Sequence, residues 1–257
     1  MSMTKKLQRF KVWDRTTRLF HWVNAISVLS LMIIGILILN AKSLGIEGDA
    51  KILLKTIHTY IGYVFAINLC WRIIWAFIGG FYARWNQFLP VGKDFLASLR
   101  KYTSSLFSGT PQQYIGHNPI GKLIISLFFL LLSIQAITGT IIAGTDLYLP
   151  PFGGYFAEWV TEGDLERLKE LKPGDKTYVV EKAYEEMRSF RKPIITVHVY
   201  GFYILIVFVL IHIAGVIVSE LREKNGLISA MITGEKILDD LPEDQKEYSE
   251  LKEDDNV

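Results

Sequence analysis

Cys70 is the only cysteine in the 257 residues, so the chain can form no disulfide within itself and build no thiolate cluster. The Cys-x-x-Cys-His run that attaches haem covalently is missing too, so any cofactor must be held by other ligands. There is no Gly-x-Gly-x-x-Gly leading into a helix, no phosphate loop, no internal repeat and no basic-aromatic pattern suited to nucleic acid. These absences set aside nucleotide chemistry and a nucleic-acid partner. Asp and Glu are also absent from four long apolar stretches, and those stretches decide the class of protein.

Half of the residues are hydrophobic, 13% are aromatic and the mean hydropathy is +0.26. A bilayer crossing needs roughly 20 apolar residues in a row. Runs of that length lie at about Leu19 to Leu39, Ile52 to Ile78, Leu123 to Ala143 and Ile194 to Val218. The expected fold is an all-α integral membrane protein, a bundle of four transmembrane helices. A signal peptide is the competing reading of the first run, but that run exceeds the roughly 7 to 15 apolar residues of a signal core.

The formal net charge of +2 conceals an asymmetry. The head (1–18) is basic, with Lys5, Lys6, Arg9, Lys11, Arg15 and Arg18, whereas the tail (220–257) turns acidic after Leu238. Positive loops stay in the cytoplasm, which places there the head, the loop with Arg84, Lys93, Arg100 and Lys101, and the start of the tail at Arg222 and Lys224. Both termini then face inward. The segment 145–192, with eight Lys or Arg against ten Asp or Glu, falls outside and is expected to be partly helical. The stretch "LDDLPEDQKEYSELKEDDNV" reads as a solvated, mobile end.

Four of the five histidines, His21, His58, His198 and His212, fall within or at the edges of the spans (19–219), where a polar ring is costly and needs a partner or a purpose. His198 and His212 are fourteen residues apart, so on one helix their rings point within about 40° of each other, separated by about 21 Å. Following the topology, His21 belongs at the inner level with His212, and His58 at the outer level with His198. Two imidazoles from facing helices at each depth suit the axial positions of a porphyrin iron. With both axial positions filled, such an iron shuttles electrons and binds no oxygen. Zinc would want three or four protein ligands per site, and no carboxylate or cysteine stands beside these rings.

Glycines accompany the rings: Gly62 follows His58, Gly201 follows His198 and Gly215 follows His212, while Gly35 lies fourteen residues beyond His21. They leave space for a flat ligand, or else they are the small residues membrane helices use to pack. Arg72, fourteen residues past His58, and Arg18, beside His21, suit either a haem propionate or lipid phosphate. His117 and Asn118, in "YIGHNPIGKL", are candidates for a quinone site on the cytoplasmic side; alternatively Asn118 with Pro119 starts a helix and His117 is a surface residue.

The runs "VWDRTTRLFHWVN", His-x-x-x-Gly and "WRIIW" in the second span, "IGHNPIG" before the third, "TG" within it, the paired histidines of the fourth and "AMITG" after it together resemble the bacterial cytochrome b561 family. That family includes the b-type cytochrome subunits of membrane-bound nickel-iron hydrogenases, and the formate dehydrogenase gamma subunit is similar. The resemblance extends to about Lys236. It implies two non-covalent b haems with bis-His ligation by His21, His58, His198 and His212, in a bacterial inner membrane. It further implies electron transfer between a periplasmic dehydrogenase, hydrogenase or cytochrome c and membrane quinone. The alternative is a stand-alone oxidoreductase of quinone with a small redox species. A proton or metal transporter relaying through the histidines is disfavoured by the missing intramembrane carboxylates. The 145–192 segment is longer and more charged than the resemblance leads one to expect.

Overall fold

The computed structural model of the chain describes residues 7–108, 111–238 and 242–245. A strand, β1 (Gln8–Lys11), leads into α1 (Arg15–Leu39) and α2 (Gly48–Ile78). Short helical turns follow, of which α3 is Trp85–Phe88, and then α4 (Phe95–Ser108) and α5 (Pro119–Leu147). Beyond these lie α6 (Gly153–Thr161), α7 (Leu165–Glu170), α8 (Glu181–Glu223), α9 (Leu227–Thr233) and a last strand, β2 (Glu235–Leu238).

Four of these helices, α1, α2, α5 and α8, are long and apolar enough to cross a membrane, and they contain all four expected spans. Only 6% to 22% of each most apolar window is buried by protein, so side chains such as Leu19, Ile33, Ile67, Phe77 and Leu210 stand exposed. Water would not tolerate that much contiguous apolar surface, whereas lipid does, and a helix satisfies its own backbone there.

The chain divides into two compact units: residues 1–22, 70–130 and 208–257, and residues 23–69 and 131–207. The first unit is closed by a two-stranded antiparallel sheet in which Phe10 faces Lys236. Its core gathers Phe10, Val12, Trp13, Tyr82, Ile115, Ala230 and Leu238. Asp14 starts α1, accepting from the Thr17 amide at 2.6 Å and from Trp75 Nε1 at 3.1 Å.

The start of the acidic tail is less solvated than its composition suggests. Leu238 is buried, and the Asp244 carboxylate accepts the Ile115 and Gly116 amides, both at 2.8 Å. A side chain that satisfies two consecutive backbone amides outcompetes the solvation its charge invites. The expectation of a mobile end for 239–241 and 246–257 lies outside the described residues.

In the second unit, Phe156, Val160 and Met187 form a core joined by Trp159, Leu171 and Tyr184. Here α6 and α7 fold within the 145–192 segment, and Asp164 caps α7 through the Glu166 and Arg167 amides. The stretch "VVEKAYEEMRSF" is largely the opening turns of α8, continuous with the fourth span. Its charges sit on turns that extend beyond the apolar run, where they cost nothing.

Candidate functional site

In the second unit the rings of His58 and His198 face each other with centroids 6.4 Å apart and planes inclined at 75°. Two imidazoles bound on opposite sides of one ion through bonds of about 2.0 Å have centroids roughly 6 Å apart. The pair therefore stands at the spacing of a bis-imidazole metal site.

The orientation of His198 comes from α5. Thr138 Oγ1 is 2.9 Å from His198 Nδ1 and donates its single proton to the Ile134 carbonyl at 2.7 Å. With the hydroxyl proton on that carbonyl, the hydroxyl oxygen can accept from a ring Nδ1–H, the tautomer that leaves the Nε2 lone pair for a ligand bond. Gln135 adds a bond from its amide to the His198 carbonyl at 3.1 Å. His58 Nδ1 is buried without a partner, an unsatisfied polar atom at an otherwise apolar place.

Glycines shape the same place. A Cβ on Gly139 would stand 3.3 Å from His198 Cε1, and one on Gly35 would stand 3.7 Å from His58 Cε1. Gly62 and Gly215 have open space where a side chain would start. Gly201 differs: its Cβ would meet Gln135 Nε2 at 2.1 Å, so its bare backbone admits the glutamine that braces His198. That is close helix packing, the second of the two readings open for it.

His21 and His212 both belong to the first unit. Phe128 stands edge-on to His212 with centroids 5.6 Å apart, and Trp22 stands edge-on to His21 at 5.3 Å. The His21 Nδ1 atom is buried and unpartnered. Arg18 donates to the Ile232 carbonyl and Trp22 Nε1 to the Met231 carbonyl, so the "AMITG" segment packs against the start of α1.

Arg72 is only 4% exposed, which rules out snorkelling to lipid phosphate. Its guanidinium lies 5.0 to 5.7 Å from the ring centroids of Phe20, Phe88 and Phe129 and donates to the Ala83 carbonyl at 3.0 Å.

His117 lies against Trp13 with centroids 4.6 Å apart and planes inclined at 45°, and its Nδ1 is buried without a partner. Burial, with the charges of Lys236, Arg72 and Lys122, holds its pKa well below the ordinary histidine value, so the ring is neutral at physiological pH. Lys236 is itself buried, donating to the carbonyls of Tyr114 at 3.2 Å and Gly116 at 2.8 Å, and burial brings its ammonium down to about 8.

Asn118 is held at both ends of its amide. Its Oδ1 caps α5 through the Gly121 amide at 2.7 Å, and its Nδ2 donates to the Tyr102 hydroxyl at 2.7 Å. This geometry belongs to a helix start. Replacing Asn118 with Leu is accordingly expected to cost about 1 to 2 kcal/mol, seen as a lower melting temperature, while reoxidation of the reduced protein by a soluble quinone analogue keeps its rate. Selectively slowed reoxidation with unchanged melting would instead put Asn118 at a quinone.

A family model described as Prokaryotic cytochrome b561 matches residues 12–234. The chain belongs to that family. This cytochrome is 28% identical over 248 residues, covering 91% of each chain, to a Rhizobium leguminosarum bv. viciae protein described as a probable Ni/Fe-hydrogenase B-type cytochrome subunit. A Cupriavidus necator protein of the same description is 25% identical, with 92% of this chain and 90% of that one covered. An Escherichia coli protein described as a probable Ni/Fe-hydrogenase 1 B-type cytochrome subunit is 31% identical over 139 residues, half of this chain and 57% of its own. No solved structure gives a significant match. The cytochrome is thus a multi-pass, b-type electron-transfer protein of the membrane.

Thr138 and Gln135 were not legible as bracing residues of this cytochrome. Their one sequence signal is a polar Gln-x-x-Thr-Gly interruption of an apolar span, which says that a partner is needed without naming it.

Proposed function

We propose that the cytochrome binds two b haems, one between His58 and His198 and one between His21 and His212, and passes electrons between a nickel-iron hydrogenase and membrane quinone. The observation that carries this reading is the close His58–His198 pair, with ring centroids 6.4 Å apart and Thr138 Oγ1 2.9 Å from His198 Nδ1. The names of relatives that match about nine-tenths of the chain support the hydrogenase as electron donor. The topology keeps both termini in the cytoplasm and presents the 145–192 segment to the periplasmic partner.

When bound, haem iron supplies one-electron exchange without an open coordination site. The chain's own residues do the rest. Gly35 and Gly139 leave the His58–His198 place free of side chains, and the apolar spans exclude water from it. At the cytoplasmic end His117 and Asn118 are the groups that would border quinone, the neutral His117 ring having an unpartnered Nδ1 to hydrogen-bond it, with Lys236 nearby.

Purified cytochrome should contain two haems per chain by pyridine haemochromogen assay, all extractable with acid acetone because no cysteine pair is present to bind them covalently. One haem, or none, would overturn the reading. A hydrogenase copurifying with the tagged cytochrome is the expected partner; a cytochrome that purifies alone and reduces quinone from a small donor would favour the stand-alone alternative.

A further inference from the structure

Beyond the His58–His198 pair the second unit holds a partly buried charged cluster that the electron path as described does not use. Asp146, at the end of α5, accepts from Lys55 of α2 through one carboxylate oxygen and from Arg191 of α8 through the other. The Asp146 and Arg191 side chains are each 14% exposed, and Arg191 Nε is buried with no partner at all. The cluster carries two positive charges against one negative, and with Asp175 and Lys176, which line the cavity beside it, the balance remains one anion short. A cavity of about 170 Å³ opens onto it, lined also by Thr145, Tyr148 and Tyr184. Burial pushes the Tyr148 phenol up to about 12, so it remains an O–H donor.

The cluster follows the faces of the histidines. Lys55 precedes His58 by three residues, about 60° round the helix and about 4.5 Å along it. Arg191 precedes His198 by seven, and Asp146 follows Gly139 by seven, each within about 20° and about 10.5 Å along. Three helices thus place a charge one to two turns from the imidazole pair, displaced to the same end of the unit. In the other direction no charged residue occurs from His58 to Leu69, from His198 to Val207 or from Leu131 to Gly139. An acid bound beside these imidazoles finds its counter-charge only toward Lys55 and Arg191.

We propose that the Lys55–Asp146–Arg191 cluster is the docking site for a propionate carboxylate of the haem held by His58 and His198, with Asp146 positioning the two cations and the Arg191 Nε edge donating to the propionate. This rests on the functional reading above. It assigns to that haem three residues that sequence spacing did not bring forward, and it makes the cluster a determinant of reduction potential. A compensated propionate does not favour the ferric charge; an uncompensated one does.

The test is a spectroscopic redox titration of the full-length, haem-loaded cytochrome, following the haem signal that His58→Ala removes. Arg191→Gln should lower the midpoint of that signal by roughly a tenfold shift in its reduction equilibrium, about 59 mV, and leave the other signal in place. Arg191→Lys should restore most of the shift. Lys55→Gln should act in the same direction, which covers the case in which Arg191→Gln does not assemble. Reconstitution with the haem dimethyl ester should abolish the effect of either variant. Retained haem with an unmoved midpoint overturns this inference alone. A shift that persists with the ester and varies with added inorganic phosphate overturns it in favour of a soluble anion. Loss of all haem from the unsubstituted protein overturns the functional reading itself.

Discussion

Replacing His198 with Ala is expected to abolish one of two b-haem signals in the dithionite-reduced spectrum and leave the second close to its native amplitude. In the proposed site His198 is a ligand braced through Nδ1 by Thr138, and its ring centroid lies 6.4 Å from that of His58. A single imidazole left on one side would have to hold the whole group with half of its axial bonds, so His58→Ala should remove the same signal. His21→Ala and His212→Ala should remove the other, because those two rings share a unit with each other and not with His198. Thr138→Val should retain the ligand yet weaken it, in the range of about 10- to 100-fold in cofactor affinity that loss of a ligand's supporting bond brings. If His198→Ala and His21→Ala deleted one and the same species, the pairing would be wrong.

Glu223→Leu is expected to lower the melting temperature of the detergent-solubilised cytochrome by roughly 10 °C, from a loss of about 3 kcal/mol. Glu223 is 4% exposed at the end of α8. One of its oxygens accepts from the Tyr102 hydroxyl, from Ser219 Oγ at 2.6 Å and, more distantly, from Asn118 Nδ2; the other accepts from Asn225 Nδ2 at 2.6 Å. Tyr102 and Asn225 are each only 1% exposed, so their donors cannot turn to water when the carboxylate goes. The burial of Tyr102, next to the Glu223 charge, also keeps its phenol protonated well above the usual range, and so keeps it a donor. Lys224→Ala, at the exposed neighbouring position, should change stability by no more than about 0.5 kcal/mol. A Glu223→Leu protein melting within a degree or two of the native one would show that the network contributes nothing net.

Membrane insertion, the number of spans and the shared face of His198 and His212 were legible in the sequence alone, because each depends on one helix at a time. Hydropathy over about 20 residues decides whether a helix enters lipid, and a pitch of 3.6 residues per turn decides that His198 and His212 share a face. Tertiary structure decided which distant side chains meet. Thr138 reaches His198 across 60 positions, Tyr102 reaches Glu223 across 121, and Lys55 and Arg191 meet on Asp146 across 91 and 45. None of these distances is a helical period. Each is fixed by how far neighbouring helices are rotated about their axes when they pack. Asn118 shows the same division. Its place before Pro119 announced a helix start, but only packing against α4 and the end of α8 showed that its remaining amide is spent on Tyr102. In the tail, composition announced solvation for a segment in which Leu238 and Asp244 are docked, because the amides and the strand that receive them lie more than a hundred residues away in the chain.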